Sequence, residues 1–442
     1  MELSSAEQFL LTCIRDHHRV NTDTRQTRPG DLFFALRGAR FDGNLYATEA
    51  LARGASFAVI DRPDQAFAGD DRYIVVPDSL ACLQRVATAW RLTFSIPVIG
   101  LTGSNGKTTT KELVASVLST EKKIHATAGN FNNHIGVPLT LLAMPRYTEI
   151  AVVEMGTNMP GDIPQLVEFA QPTHTLITNV GEAHLENLGS LDGVMVEKGA
   201  VYRWVRDHGG FAFVNESDER VLKASEGVQE RCTYGGPDSD VTFHILEEKL
   251  DGMRIEIRMK HWDAPMTVDT QLAGFYNALN VAVAAAIGDH FGISKEGIQK
   301  GLYQYVPANQ RSQLIRSGNR NIWLDAYNAN PSSMKASVSH AFRTGAHKVA
   351  LILGDMLELG PDEYRMHAEL GEWLDGFNPF VVIGIGPRMQ SLIEAVRTDG
   401  HWFATAAEAL PRVPALIQDA DFVLLKGSRG MRLEMLLEAV RR

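Results

Sequence analysis

Residues 97–110 read PVIGLTGSNGKTTT, and this stretch decides the fold of the central part of the chain. The apolar run at 97–101 predicts a buried strand, and residues 113–118 place apolar side chains on one face of a following helix. Glycines between the two let the backbone curl until its NH groups converge, and the helix N-terminus adds its dipole. A strand, a glycine-rich loop and a helix in this order predict a phosphate-binding loop.

Two side chains of this loop have the chemistry that a bound nucleoside triphosphate requires. Lys107 would reach the outer phosphates, and Thr108 would offer its hydroxyl to Mg²⁺. The alternative is a tight strand-to-helix turn with an incidental lysine, because the first glycine of the usual GxxxxGK[ST] pattern falls on Leu101. The residues expected to contact ATP here are Thr102, Gly103, Ser104, Asn105, Gly106, Lys107, Thr108 and Thr109.

Composition sets the outer limits on function. The chain has 442 residues, which suggests about three domains, and 45% apolar residues, which excludes a disordered protein. Its net charge of −10 lacks the basic surplus of a nucleic-acid binder. Three cysteines lie far apart, the start has no signal-peptide pattern, and no apolar run is long enough to span a membrane. We expect a cytoplasmic protein that binds neither nucleic acid nor membrane.

The pattern along the chain predicts an α/β protein of three domains, with bounds at 1–93, 94–306 and 307–442. Strand and helix patterns alternate from residue 97 and again from residue 321, which favours mostly parallel sheets. Residues 241–259 differ, because two alternating runs meet at Asp251-Gly252 and predict an antiparallel hairpin. In the last domain, helices are expected near 332–343, 363–375, 388–397 and 406–418.

Longer motifs extend from the first domain to the last. They are DTRQTRPGDLFFALRGARFDG (23–43), GNFNNHIGVP (129–138), EMGTNMPGDI (154–163), NVGEAHLENLGS (179–190), DAYNANPSSM (325–334), LGDMLELG (353–360) and KGSRGMRLE (426–434). Together with the phosphate loop, they resemble the Mur ligases, ATP-dependent amide ligases of peptidoglycan synthesis. The last three motifs are similar to those members that join D-alanyl-D-alanine to UDP-N-acetylmuramoyl-tripeptide.

The resemblance implies a small N-terminal α/β domain that binds the UDP-substrate, a central P-loop ATPase domain and a C-terminal Rossmann-like domain. The last would close over ATP and bind the incoming dipeptide. The resemblance also implies a reaction in which the γ-phosphoryl group of ATP activates a carboxylate as an acyl phosphate. The amine then attacks through a tetrahedral intermediate. Expected partners are UDP-N-acetylmuramoyl-tripeptide and D-alanyl-D-alanine, acted on by a monomer.

By the same resemblance, two Mg²⁺ ions are held by Thr108, Glu154, His184 and Lys198, the lysine as a carbamate formed with CO₂. Glu154 ends the apolar run AVVE, so it is expected at the carboxyl edge of a strand. Each side chain also has a simpler reading. Glu154 would be a capped strand-end carboxylate, His184 a solvated loop histidine and Lys198 an exposed helical lysine.

Other roles also follow from the resemblance. Asn277, Arg311 and Asp325 would contact ATP, and Lys107, Lys198, His184, Arg311 and Asp325 would be catalytic. Simpler readings remain open: a helix cap for Asn277, turn residues at 328 and 330, and solvated loop charges at 426 and 429. The residues expected to bind the sugar-peptide or dipeptide are Asp23, Thr24, Arg25, Asn130, Asn132, Asn133, Asn328, Asn330, Lys426 and Arg429.

Three alternatives to this function follow from the phosphate loop itself, since one loop serves many activities. The first is another amide ligase of the superfamily, either a single-amino-acid Mur ligase or a folylpolyglutamate synthase. The second is a catalytically silent nucleotide-binding regulator. The third is a motor-type NTPase, which the sequence supports least because it shows no strand-borne acidic pair.

Overall fold

The computed structural model describes residues 2–308 and 310–441. Three main β-sheets, each with its own helices, follow one another along the chain. The mixed strands and helices confirm the predicted α/β class with three units. Within the described ranges, no helix combines the length and the apolar character needed to cross a membrane.

The first sheet is small and all parallel. Its strands, in spatial order, are Val20–Asn21, Leu32–Phe34, Phe57–Ile60 and Tyr73–Val75. A short hairpin pairs Arg37–Gly38 with Phe41–Asp42. The helices of this unit are Ser5–Arg15, Ala47–Ala52 and Ser79–Arg91, with 3-10 turns at Thr24–Gln26, Gly43–Tyr46 and Pro63–Gln65.

The central sheet has nine strands, and the phosphate loop follows the third strand from one side of it. From one edge to the other, they are Met266–Thr270, Gly252–Met259, Val241–Lys249, Glu230–Tyr234, Phe211–Asn215, His174–Ile177, Val98–Thr102, Ile150–Glu154 and Ile124–Ala126. The first three pair antiparallel, which confirms the predicted hairpin at 241–259, and the others pair parallel. The carboxyl ends of the parallel strands therefore gather at one edge of the sheet.

Helices cover both faces of the central sheet. The Ala-rich helix Ala278–His290 packs against Lys107–Leu118, and its small side chains allow close approach, so both are buried along their contact. The other helices of this unit are Gly136–Leu142, Asp162–Ala170, Leu185–Leu188, Leu191–Lys198, Ala200–His208, Glu219–Ala224 and Lys295–Gln304, with a 3-10 turn at Phe275–Asn277.

The third sheet has six strands, of which only the first pairs antiparallel. In spatial order they are Gln313–Ser317, Arg320–Asp325, Phe422–Lys426, Val349–Gly354, Val381–Ile385 and Gly400–Phe403. The helices are Pro331–Arg343, Glu363–Leu374, Met389–Ala395, Ala406–Ala409, Val413–Leu416 and Leu437–Val440, with 3-10 turns at Gly360–Asp362, Arg429–Met431 and Leu433–Leu436.

The single helix predicted over 406–418 is wrong, because the structure has two short helices there. Pro411 follows the first, and Pro414 lies in the first turn of the second. Proline has no NH to donate and clashes with the preceding turn, so it is tolerated only where a helix begins. The apolar spacing alone did not reveal this break.

Candidate active site

Two glycines of the phosphate loop have no room for a side chain. A Cβ on Gly103, whose φ is +154°, would lie 1.8 Å from the Thr178 hydroxyl oxygen. A Cβ on Gly106, whose φ is +78°, would lie 2.9 Å from the Asn280 side-chain oxygen. Helix Lys107–Leu118 begins directly after this second glycine, so the loop feeds its curled backbone into a helix N-terminus.

Neighbouring polar groups hold the loop in place. Ser104 Oγ donates to Gly181 O at 2.9 Å, and Thr178 Oγ1 donates to Asn105 O at 2.6 Å. Lys107 folds back, and its Nζ donates to Gly103 O at 2.6 Å. Burial lowers the pKa of Lys107, although the nearby carboxylate of Glu154 acts to raise it. The loop is therefore preformed, with the amine of Lys107 folded back onto the loop backbone.

Glu154 lies beside Thr108 at the carboxyl edge of the sheet, as predicted from the end of its strand. Thr108 Oγ1 donates to Glu154 Oε1 at 3.3 Å, and Asn132 Nδ2 donates to the same oxygen at 2.8 Å. The other oxygen, Oε2, is buried and has no hydrogen-bond partner among the described residues. A buried carboxylate oxygen that lacks a donor is chemically suited to bind a cation.

Lys198 is fully buried at the end of helix Leu191–Lys198, so it is not the exposed helical lysine of the simpler reading. Its Nζ has no hydrogen-bond partner among the described residues. Burial and the neighbouring Lys107 lower its pKa well below the usual value, which favours the neutral amine. The adjacent Glu197 fixes this turn, because its carboxylate accepts from the NH groups of Gly161 and Ile163 at 2.8 and 2.6 Å.

His184 links the central unit to the third one. Its backbone has a φ of +56°, and its Nδ1 lies 2.5 Å from Glu358 Oε2, in the LGDMLELG motif. The hydrogen bond from His184 lowers the pKa of Glu358. In the part of the chain that the structure describes, no group of three or more His, Cys, Asp or Glu side chains is arranged to hold a metal ion. A magnesium ion here would complete its ligands with phosphate and water oxygens.

Asp325 and Lys426 end two adjacent parallel strands and pair with each other. Lys426 Nζ donates to Asp325 Oδ2 at 2.6 Å, and Ser337 Oγ donates to the same oxygen at 2.7 Å. Burial alone would raise the pKa of Asp325, but the lysine lowers it overall. Lys426 is only 2% exposed, so it is not the solvated loop charge of the simpler reading, and its contact with a substrate carboxylate stays a prediction.

Arg311 and Arg429 both contact Tyr327, a residue that the sequence reasoning missed. The Arg311 guanidinium carbon lies 3.7 Å from the centroid of the tyrosine ring, and that of Arg429 lies 5.1 Å away. The signal was present in the sequence, because an aromatic residue in DAYNANP follows a strand that ends at the site.

The phosphate loop also contacts the N-terminus of helix Pro331–Arg343. Asn105 Nδ2 donates to Ser332 Oγ at 2.9 Å, and Asn330 Nδ2 donates to Asn105 Oδ1 at 2.8 Å. Asn330 also caps the helix, because its Oδ1 accepts from Ser333 N at 2.9 Å. Asn328 is exposed and bonds only its neighbour's backbone through its side chain.

Asn277 is buried behind the loop rather than in it. Its Nδ2 donates to Ala273 O at 2.7 Å, and its Oδ1 accepts from Asn280 at 3.0 Å. Its side chain makes no capping bond to the helix that follows. Asn280 Oδ1 accepts from Thr110 at 3.0 Å, so Asn277 reaches the phosphate loop through Asn280.

The remaining predicted substrate residues lie on loops of the first two units. Asp23 Oδ2 lies 2.8 Å from Arg25 Nη2, and this hydrogen bond lowers the pKa of Asp23 to about 2. Thr24 is buried and begins the 3-10 turn Thr24–Gln26, which contains Arg25. Asn130 is exposed, and Asn133 Oδ1 accepts from the NH of Gly136, the first residue of the helix Gly136–Leu142, at 2.9 Å.

A preformed phosphate loop, a buried carboxylate beside it and charged groups supplied by the next sheet define a nucleotide-dependent enzyme built from several domains. Three family models match the chain in sequence. They are described as "Mur ligase family, catalytic domain" at residues 16–91, "Mur ligase middle domain" at 101–288 and "Mur ligase, glutamate ligase domain" at 310–429. The chain belongs to the Mur ligase family.

Its relatives include MurF proteins, as the last three motifs predicted. The chain is 35% identical over 429 residues to the UDP-N-acetylmuramoyl-tripeptide–D-alanyl-D-alanine ligase of Bacillus subtilis, covering 95% of this chain and 92% of the relative. MurF from Acinetobacter baumannii superposes with a TM-score of 0.88 at 32% identity, covering 96% and 93% of the two chains. The Thermotoga maritima MurF ligase in complex with ADP gives 0.85 at 26% identity, covering 99% and 98%.

Proposed function

We propose that this chain is the ATP-dependent ligase that joins D-alanyl-D-alanine to UDP-N-acetylmuramoyl-tripeptide. The products are the UDP-muramoyl-pentapeptide, ADP and phosphate. The observation that carries this is similarity over 95% of the chain to a relative with that activity in its name, at 35% identity. The phosphate loop supports ATP as the energy source.

The chemistry begins with a carboxylate that is a poor electrophile, since its oxygen is a poor leaving group. Transfer of the γ-phosphoryl group converts the tripeptide carboxylate to an acyl phosphate, which the dipeptide amine attacks. Lys107 and the loop NH groups hold the phosphates, and Arg311 stabilises the charge on the transferring group. The Lys426–Asp325 pair keeps the nearby strand ends in place.

The residues beside the loop fit a magnesium ion. Thr108 and Glu154 would hold it, with His184 and a modified Lys198 at a second ion. When bound, Mg²⁺ neutralises the repulsion between triphosphate and carboxylate. The unpartnered amine of Lys198 fits reaction with CO₂, because only a neutral amine attacks it and burial favours that form. The carbamate would turn this amine into an anionic ligand.

Domain roles complete the proposal, with bounds at 1–93, 94–306 and 307–442. The first domain binds the uridine end of the substrate through the loop at 23–25, and the third supplies Arg311, Asp325 and the dipeptide contacts. The loop near Glu154 carries Asn130, Asn132 and Asn133. These asparagines would contact the sugar-peptide, whose terminal carboxylate would be activated beside Glu154. We place the reaction in the cytoplasm, where ATP is available, with the monomer as the acting unit.

Phosphate release by the purified protein tests this function. We expect release only when ATP, the UDP-tripeptide and D-alanyl-D-alanine are all present. Release with a single amino acid or with glutamate, and none with the dipeptide, would assign the chain to another amide ligase. ATP binding without turnover for any amine would indicate a silent regulator.

Isotopic oxygen tests the activated intermediate separately. Label placed in the terminal carboxyl group of the tripeptide is expected to appear in the released orthophosphate, because one carboxyl oxygen leaves with the phosphoryl group. Label retained wholly in the peptide product would contradict the acyl phosphate.

A further inference from the structure

Arg311 lies in the connection between the central and third units, directly before the strand Gln313–Ser317. Both of its neighbours, Gln310 and Ser312, have left-handed backbone conformations, with φ of +58° and +47°. Neither neighbour is a glycine, and a residue with a side chain keeps this conformation only where surrounding contacts compensate for its strain. Contacts from outside the connection are therefore needed to hold Arg311 in place.

Ser312, the residue after this arginine, receives such contacts from both units. Its hydroxyl oxygen lies 2.9 Å from the hydroxyl oxygen of Tyr276 in the central unit. Its backbone NH donates to Asp325 Oδ1 of the third unit at 3.3 Å. Ser312 is buried, so water competes little for either hydrogen bond. The backbone beside Arg311 is therefore fixed to the two units at once.

Tyr276 is itself held firmly in the central unit. It lies in the 3-10 turn Phe275–Asn277, directly before the Ala-rich helix. Its ring folds back over Gly274, where a Cβ would lie 2.7 Å from the ring atom Cε1. Burial, and then the charge of Asp325, raises the pKa of Tyr276, so the hydroxyl keeps its proton and can donate it in a hydrogen bond. The packed ring thus presents its hydroxyl to Ser312.

The guanidinium of Arg311 lies near the phosphate loop. Its positive charge helps to lower the pKa of Lys107, which places the two side chains close to each other. The guanidinium carbon lies 3.7 Å from the centroid of the Tyr327 ring, and this stacking fixes its plane while its NH groups stay available for an anion. A displacement of about 1 Å at a group that stabilises a transition state can lower the rate considerably. The exact position of the backbone at 311 therefore matters for the reaction.

We propose that Tyr276 is a positioning residue for phosphoryl transfer and acts through Ser312 on Arg311. This inference rests on the proposed ligase function. The hydroxyl of Tyr276 supplies a hydrogen bond from the unit that holds the phosphate loop to the connection that carries the arginine. Negative charge on the transferring group is stabilised by Arg311 mainly in the transition state, so the contribution of Tyr276 belongs to kcat rather than to the binding of ATP.

The test removes each end of this hydrogen bond in turn. Tyr276→Phe keeps the ring and loses the hydroxyl, so kcat for ligation should fall roughly 3- to 10-fold while the KM for ATP stays within about 2-fold of the wild-type value. Ser312→Ala removes the other hydroxyl and should lower kcat by a similar factor. The double variant should be no slower than either single variant, because both changes remove the same bond.

Tyr73→Phe is the matched control. Tyr73 is also buried, and its hydroxyl oxygen lies 2.9 Å from the hydroxyl oxygen of Thr48 in the first unit. This variant loses the same kind of hydrogen bond at the same length, so its stability should fall by a similar amount while kcat stays unchanged. Thermal unfolding of every variant verifies that it folds. A purely structural role for Tyr276 would give the kinetic result of this control.

An unchanged kcat in Tyr276→Phe overturns the inference. Multiplication of the two single effects in the double variant also overturns it, because the two hydroxyls would then act independently. A raised KM for ATP with an unchanged kcat would assign Tyr276 to nucleotide binding and overturns it as well. Wild-type protein that releases no phosphate with ATP, the UDP-tripeptide and D-alanyl-D-alanine together refutes the proposed function instead, so the two failures are distinguishable.

Discussion

Three buried lysines show how much a single amine depends on its surroundings. Lys111 donates to Thr127 O at 2.6 Å, and Lys426 donates to Asp325 at 2.6 Å, so both ammonium groups are compensated. Lys198 is equally buried and has no such partner among the described residues. Burying an uncompensated charge is costly, so burial lowers the pKa of Lys198 and favours its neutral amine, the form that can react.

Lys198→Ala is expected to lower kcat by roughly 100-fold or more, because the site loses the group proposed to become an anionic ligand. Added short carboxylic acids should restore part of the activity by occupying the vacated volume. Carbon-13 NMR with labelled bicarbonate should show a carbamate signal in wild-type protein and none in the variant.

Lys111→Ala is the matched control for that experiment. It removes an equally buried lysine whose amine is already bonded, so we expect lower stability but no rescue by carboxylic acids. Wild-type turnover in Lys198→Ala without any added acid would eliminate the carbamate from the mechanism.

At the scale of elements, the N-terminus of helix Pro331–Arg343 performs two tasks. Asn330 caps the helix, and the same side chain donates to Asn105 of the phosphate loop. The first turn of this helix therefore contacts the phosphate loop, so a change in the loop is expected to affect the helix.

Asn330→Ala should lower the free energy of unfolding by about 1 kcal/mol through loss of the cap. It should also raise the KM for ATP several-fold, because Asn105 loses its support. Ser294→Ala is the control, since Ser294 caps the helix Lys295–Gln304 by accepting from Gly297 N at 3.0 Å. Denaturant unfolding should show a similar cost for it, while an unchanged KM for ATP in both variants would contradict the coupling.

A histidine pair joins the strand His174–Ile177 to the end of helix Ala278–His290. The two Nε2 atoms, of His174 and His290, lie 3.1 Å apart, so at least one ring must be neutral for them to bond. Burial, and then the charge of His290, lowers the pKa of His174 to about 4. The folded chain therefore takes up this proton at a lower pH than the unfolded chain.

Stability from this pair should be complete above pH 6.5, the ordinary histidine value, and should fall as the pH drops from 6.5 towards 4. Denaturant unfolding of His174→Gln across this pH range should show a smaller fall in the free energy of unfolding than wild-type protein shows. The burial-lowered pKa values of His125 and His367 leave the rest of the slope in place. Exposed His134→Gln is the control, and a slope unaffected by His174→Gln would refute the assignment.

The sequence predicted elements well where one pattern governs them, as in the hairpin at 241–259 and the strand-loop-helix at 97–118. It failed where a pattern is interrupted, as at Pro411. For the site, the sequence identified residues at strand ends, such as Glu154, but it did not predict which side chains they pair with. The pairing of Lys426 with Asp325 joins residues 101 positions apart, and only the register of two strands creates it.

At the scale of the whole molecule, the central and third units are joined by polar contacts near the site. Glu358 contacts His184 at 2.5 Å, and its carbonyl accepts from Glu186 N at 3.1 Å. Further away, His340 Nδ1 lies 3.0 Å from Glu248. Apolar packing adds to these polar contacts, because Ala273 of the central unit belongs to the same buried cluster as Trp323 of the third unit.

Glu358→Ala should favour separation of the central and third units, because His184 of the central unit loses its hydrogen-bond partner in the third. Small-angle X-ray scattering should show a larger radius of gyration without nucleotide, which returns towards the wild-type value with an ATP analogue. Glu369→Ala removes a carboxylate whose partner, Arg365, lies 2.5 Å away on the same helix, so it should leave the radius unchanged. An unaltered radius for Glu358→Ala would show that other contacts hold the units together.

The amide of Asn105 has a consequence for antibacterial chemistry. One side chain lies in the nucleotide loop and also against Ser332 and Asn330 of the neighbouring unit. We expect a small molecule that binds between these side chains to disturb the phosphate loop and its contact with the third unit together. A substitution at Asn105 that weakened the binding of such a molecule would also weaken the support of the phosphate loop.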